Sequence, residues 1–210
     1  MFVRREAPDG TFRFGDAEAF IAGDVCGFLM KRLSRHAPAV YRHSVRVAVS
    51  AASVAEAMGM GPDLLPVFFR SALLHDIGML SLPAEPARTR TPLGPDEWRR
   101  FERHPAAGAE LLRHLIEEGR VMEDVILHHH ENLDGSGYPF GKTEPQLSLP
   151  ARIVRVADSF DAAVYGTGFA RVKPEEEALE DLYRWSDICF DANVVGVFHM
   201  MLNRKREPRG

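Results

Sequence analysis

Several features are missing from this chain, and each absence removes a class of function. No apolar run approaches the ~20 residues that a membrane-spanning helix needs. The early residues Arg4, Arg5, Glu6 and Asp9 are charged where a signal peptide would be apolar. No cluster of lysine and arginine marks a phosphate-tracking stripe, and the formal net charge of −4 offers no general attraction for a nucleic-acid polymer. Cysteine is scarce. Cys26 and Cys189 have no ligand-type spacing and sit in apolar stretches, which predicts reduced core residues and no disulfide framework. Internal repeats and low-complexity linkers are missing, and strand-like alternation is almost absent. These absences predict a cytoplasmic protein with no membrane and no nucleic-acid partner.

What is present is helical periodicity. With 210 residues, 45% of them hydrophobic, the chain can bury a substantial core as one all-α domain. Residues 16–33 place Phe20, Val25, Phe28, Leu29 and Leu33 at helical offsets. A second helix is expected from about His43 and is stopped by Gly59, Gly61 and Pro62. A third is expected from Asp63, as N-cap, to Gly78. Prolines make residues 81–95 an irregular loop. Helical pattern resumes at Glu97–Arg103, breaks at Pro105 and continues through Leu111, Leu112 and Leu115. Another helix, from about Met122, ends in a histidine run, and a loop covers Asp134–Pro150. Ile153, Ala157, Phe160 and Val164 stripe the helix over 150–165. Pro174 precedes the acidic start Glu175–Glu177, suited to a helix dipole, and a last helix follows Asp191.

The chemistry concentrates in His128-His129-His130-Glu131, followed by Asp134-Gly135-Ser136-Gly137-Tyr138-Pro139. Adjacent histidines are costly in a core, and neutral imidazole is the commonest protein ligand for a transition metal. His75-Asp76 ends a strongly apolar segment, where an imidazole beside a carboxylate must be paired or metal-bound if buried. Taken alone, a helix-terminal histidine with a solvated aspartate explains that pair as well. Accumulation shifts the balance: His43, His104, His129 and His130 add imidazoles, and Asp158 interrupts an apolar helix. Nitrogen and oxygen donors without thiolate favour iron, manganese or zinc. Two such divalent ions sharing one carboxylate are a device for hydrolysing phosphate esters.

The ordered set His43, His75-Asp76, His104-Pro105, His129-His130-Glu131, Asp134-Gly135-x-Gly137-Tyr138-Pro139 and Arg152-Ile153-x-x-Val156-Ala157-Asp158-x-Phe160-Asp161-Ala162 resembles the HD-GYP subgroup of the HD-domain phosphohydrolases. The resemblance implies a helical bundle, expected over residues 39–205, with a helical leader over 1–38 packed on it and a disordered tail at 206–210. It implies hydrolysis of cyclic di-GMP to the linear dinucleotide pGpG, to GMP, or to both, in bacterial second-messenger signalling. His75 and Asp76 would be catalytic. One metal would take His43, His75, Asp76 and Asp158; the other would share Asp76 and add His104, His129 and His130. The Gly137-Tyr138-Pro139 loop would shape the site and contact a signalling partner, and a homodimer is compatible with it.

Three positions depart from that pattern. Met79 stands where the family usually has a lysine that meets a substrate phosphate. Ala39 replaces a glutamate found in members with a third metal, so two metals are expected. The segment 163–170 lacks the usual Arg- and Tyr-bearing grip, and Arg171 is the nearest cation. Weak hydrolysis, hydrolysis of another nucleotide phosphoester, or a catalytically impaired metal-containing binding module follow as alternatives. Asp161 and His128 are expected behind the ligands, while Glu131 and Asp134 shape the loop. His36, His114 and His199 fall outside the pattern.

Overall fold

The structure, a computed structural model, describes residues 25–84, 94–166 and 172–206. Residues 1–24 of the expected leader, 85–93 of the expected loop, 167–171 with Arg171, and 207–210 of the expected tail lie outside the described residues. Helices α1 (Val25–His36), α2 (Pro38–Ala57) and α3 (Leu65–Leu73) are followed by a 3-10 turn at Ile77–Ser81. Then come α4 (Pro95–Phe101), α5 (His104–Glu117), α6 (Glu123–His128), α7 (Leu149–Tyr165), α8 (Glu175–Arg184) and α9 (Ala192–Arg206). Only isolated bridges, Asp134 to Thr143 and Ser186 to Phe190, interrupt the helical character of the described residues. Among those residues no helix is long and apolar enough to cross a membrane.

The central element is α2. Its buried side carries Ala48, Ala51, Ala52 and Ala55, all fully enclosed, and such small residues let neighbouring backbones approach closely. On it pack α1, α3, α7 and α9. The 3-10 turn lies against α5, which in turn packs on α6. The α1 face is rotated from the expected one. Cys26, Leu29, Met30 and Leu33 point into the core, whereas Val25 and Phe28 are exposed. Cys189 is only half-buried, so one of the two cysteines is not a core residue; both are free thiols.

Prolines set several boundaries that periodicity misplaced. α2 starts at Pro38, so His43 sits well inside the helix. Pro105 does not break a helix but occupies the first turn of α5, where its missing N–H costs nothing. α7 begins at Leu149, with the Ser148 hydroxyl accepting from the Ala151 N–H. Asp63 caps nothing; α3 starts after Leu64, without a side-chain cap. It also stops at Leu73, short of Gly78. The cause is local: the His75 Nδ1–H donates to the Ala72 carbonyl at 2.7 Å, a carbonyl the next helical turn would otherwise use.

Candidate metal centre

Five elements bring the predicted ligands together. α2 supplies His43, the turn after α3 supplies His75 and Asp76, and the first turn of α5 supplies His104. The end of α6 supplies His129 and His130, and α7 supplies Asp158. Close approach of the second and third elements depends on Gly78. A Cβ there would lie 1.9 Å from the His104 carbonyl oxygen and 2.6 Å from the Gly108 nitrogen, so no other residue fits. His43, His75, His104 and His129 are all buried.

The carboxylate of Asp76 is shared between two sides. Its Oδ1 lies 3.2 Å from His104 Nε2 and 3.7 Å from His129 Nε2; its Oδ2 lies 3.5 Å from His75 Nε2 and 3.8 Å from His43 Nε2. Donor atoms of Asp76, His104, His129 and His130 all fall within 4.8 Å of one another, and so do those of His43, His75 and Asp76. Two cation-sized groups thus meet at one aspartate. Burial alone would raise the pKa of Asp76, but His75, then the contacts from His104 and His129, hold it well below the usual carboxylate range.

Tautomers are fixed from behind. The Nδ1–H groups of His75, His104 and His129 donate to the carbonyls of Ala72, Phe101 and Ile126, at 2.7, 2.8 and 2.9 Å. A carbonyl can only accept, so in each neutral ring Nε2 is left as a lone pair aimed at the centre. His104 Nε2 and His129 Nε2 face each other at 3.1 Å. Two acceptors at that distance repel unless a cation or a proton lies between them. A proton is disfavoured on His129: burial is the largest cause, and its pKa falls to about 4. Burial, then His129, lowers His130 well below its usual value. The buried His75 Nε2 and His130 Nε2 have no hydrogen-bond partner among the described residues. Nitrogen lone pairs without donors, beside a carboxylate held anionic, suit a divalent transition metal.

The opposite side is already paired. His43 Nε2 lies 2.8 Å from Asp158 Oδ1, and His43 Nδ1 2.7 Å from Asp161 Oδ2. Burial disfavours the imidazolium, yet these two carboxylates outweigh it and raise His43 to about 10. Asp161 also receives Arg46 in a two-point clamp, 2.7 Å at both Nε and Nη2, and the Arg46 guanidinium lies 4.0 Å from the Tyr165 ring centroid. Asp161 therefore stands behind a ligand candidate. Asp158, closest to His43, also comes within 3.8 Å of His75 and 3.6 Å of His130.

The Gly137-Tyr138-Pro139 loop is pinned over this centre. Glu131, buried, accepts from the Phe140 N–H at 2.7 Å and the Lys142 N–H at 3.1 Å. Asp134 accepts from the Ser136 N–H at 2.9 Å. A Cβ on Gly137 would sit 2.4–2.5 Å from backbone atoms of His130, Glu131 and Asn132. The Tyr138 ring stacks on His130, centroids 4.7 Å apart. His128, expected behind the ligands, instead sits 3.1 Å from Asp124 and against Phe140. A helical residue next to two inward-facing ones must point elsewhere. Met79 belongs to the buried core.

Of the histidines outside the pattern, His36 meets the Leu82 carbonyl, His114 meets Glu118, and His199 meets Tyr183. Sequence reasoning missed Arg46 and Trp98. The signal for Arg46 was its position one turn after His43, with Asp161 unexplained. The signal for Trp98 was the three-residue spacing Trp98, Phe101, His104, which runs from α4 to the first residue of α5. Trp98 stacks on Phe101 at 5.5 Å and meets Tyr138 edge-on at 6.1 Å; Phe101 in turn lies 5.0 Å from the His104 ring.

Comparison with known proteins is consistent with this geometry. The HD-domain family profile matches residues 27–194, a span that takes in all of α1 but its first two residues. The chain is 33% identical over 158 residues to the cyclic di-GMP phosphodiesterase PA4108 of Pseudomonas aeruginosa, covering 75% of this chain and 38% of the relative. It is 33% identical over 162 residues to a cyclic di-GMP phosphodiesterase of Thermotoga maritima, covering 75% and 43%. The chain therefore spans less than half the length of these relatives. Among solved structures, the HDG"Y"P protein Bd1817 of Bdellovibrio bacteriovorus superposes with a TM-score of 0.63 at 21% identity, over 77% of this chain and 51% of that one.

Proposed function

The chain belongs to the HD-domain family, and on that footing we propose that it is a metal-dependent phosphodiesterase hydrolysing cyclic di-GMP, to pGpG, GMP or both, in the bacterial cytoplasm. The observation that supports this best is the pair of imidazole lone pairs, His104 and His129, facing each other at 3.1 Å beside the shared Asp76. In this reading one divalent ion is held by His43, His75, Asp76 and Asp158. A second, iron or manganese like the first, is held by Asp76, His104, His129 and His130. Bound ions supply Lewis-acid activation of the phosphoryl group and of water. The protein's own part is preorganisation. Backbone carbonyls set three imidazole tautomers, Asp161 and Arg46 orient His43, and the Tyr138 loop shields one flank from solvent. The same loop is the place proposed for a signalling partner.

A second reading, a metal-containing binding module with little turnover, is favoured by Met79. A buried methionine offers no charge where the family's lysine would meet a phosphate. Losing one charge-assisted contact costs about 1.5–3 kcal/mol, tens- to hundreds-fold in binding. The deciding experiment is cyclic di-GMP hydrolysis by anaerobically purified protein loaded with iron or manganese, beside a His75→Ala/Asp76→Ala double variant, with metal content quantified. Turnover that vanishes in the variant supports the phosphodiesterase. Two bound metals without turnover would hand the case to the binding module.

A further inference from the structure

Trp98 is an exposed aromatic that the metal chemistry leaves without a role. It is 41% exposed, yet it is not a stray surface residue. Its ring lies nearly parallel to Phe101, at 24°, and is braced edge-on by Tyr138 at 73°. Tyr138 lies almost flat on His130. An aromatic wall thus runs without interruption from a donor of the centre to a partly exposed indole. Flat, partly exposed aromatic faces beside a phosphate-binding centre suit base stacking, since every base has a π-face. A carboxylate completes the wall. Glu102, four residues after Trp98, is the residue that ends α4. It is partly buried.

We propose that Trp98, braced by Phe101 and Tyr138, is a stacking subsite for one base of the substrate, and that Glu102 reads that base as guanine. The second part follows from donor count. Guanine presents N1–H and N2–H side by side to an acceptor-only carboxylate; adenine presents a bare N1 acceptor there, which a carboxylate repels. The subsite gives the chain a contact to its substrate that compensates for the cation missing at Met79. It rests on the nucleotide phosphodiesterase reading above, and its test separates the two.

The chain has two tryptophans, Trp98 and Trp185, so Trp185→Phe leaves Trp98 as the single indole. In that background, metal-loaded protein is titrated with GMP, AMP and ribose 5-phosphate. GMP is expected to quench the indole saturably and more tightly than AMP, while ribose 5-phosphate, with a phosphate but no base, does not. Glu102→Gln removes the GMP over AMP preference. In the otherwise native chain, Trp98→Ala raises KM for cyclic di-GMP about tenfold, and Trp98→Phe recovers most of that loss. Hydrolysis of cyclic di-GMP without any quenching by GMP overturns the subsite and leaves the phosphodiesterase standing. Quenching by GMP without hydrolysis upholds the subsite and removes the phosphodiesterase. Quenching by ribose 5-phosphate equal to that by GMP, or none by any of the three, also overturns the subsite.

Discussion

Around His43 every buried charge meets an opposite one: Asp158 on one ring nitrogen, Asp161 on the other, and Arg46 closing the set. Across Asp76, the imidazoles of His104 and His129 aim lone pairs at each other, and His130 keeps a buried nitrogen with no hydrogen-bond partner among the described residues. Apart from the unpartnered His75 Nε2, the first half is an ion-pair network even without a cation, held by the fold. The second half is complete only when something positive sits in it. One half is thus built for stability as well as function, the other for function alone, and substitutions should act on the two in opposite ways.

The sharpest contrast is expected in metal-free protein, between His43→Leu and His129→Leu. The first strands buried Asp158 and takes from Asp161 one of its two partners, and should cost about 3–5 kcal/mol in denaturant unfolding. The second removes a repulsive contact at similar volume and should stay within about 1 kcal/mol of wild type. Equal losses would erase the distinction between the halves. Next in size is metal itself. At a free ion concentration a hundredfold above Kd, the wild type should gain about 2.7 kcal/mol, read as a rise in Tm that a chelator reverses and that is much smaller in His129→Leu. Arg46→Met comes third: Asp161 then orients His43 less firmly, and metal affinity should fall about 10–100-fold by competition titration, with His104, His129 and His130 untouched. An unchanged affinity would make the Arg46 clamp purely structural. The smallest effect is Glu131→Gln, outside both halves. Both backbone N–H groups held by the carboxylate lose an anionic acceptor, and one of them faces the amide NH2 instead, at a cost of about 1 kcal/mol. KM should rise more than kcat falls.

The same contrast explains what could be read in the residue order. The all-α class and most helices follow from periodicity, and the ligand candidates follow from the residue types: no packing role explains Asp158 in an apolar stripe or three histidines in a row. Helix starts were misjudged where proline acts as a first-turn residue, at Pro38 and Pro105, because the letter signals a break and a beginning alike. His128 was misassigned because adjacency in sequence turns each residue by about 100° on a helix. Arg46 escaped notice because its reason for being there, Asp161, is 115 residues away. The two glycines that matter most, Gly78 and Gly137, look like ordinary punctuation. Only the contacts distinguish them from the rest.

Gly78 has one more implication. Where its Cβ would be, the His104 carbonyl oxygen already stands at 1.9 Å. The backbones bearing His75-Asp76 and His104 therefore touch directly, as two machined faces meet with no shim between them. Side chains elsewhere in the centre can rotate, hydrate or be exchanged, and the gap between these two parts stays the same. A single hydrogen atom sets that gauge, so any other residue at position 78 would change the spacing of the donors without altering one of them.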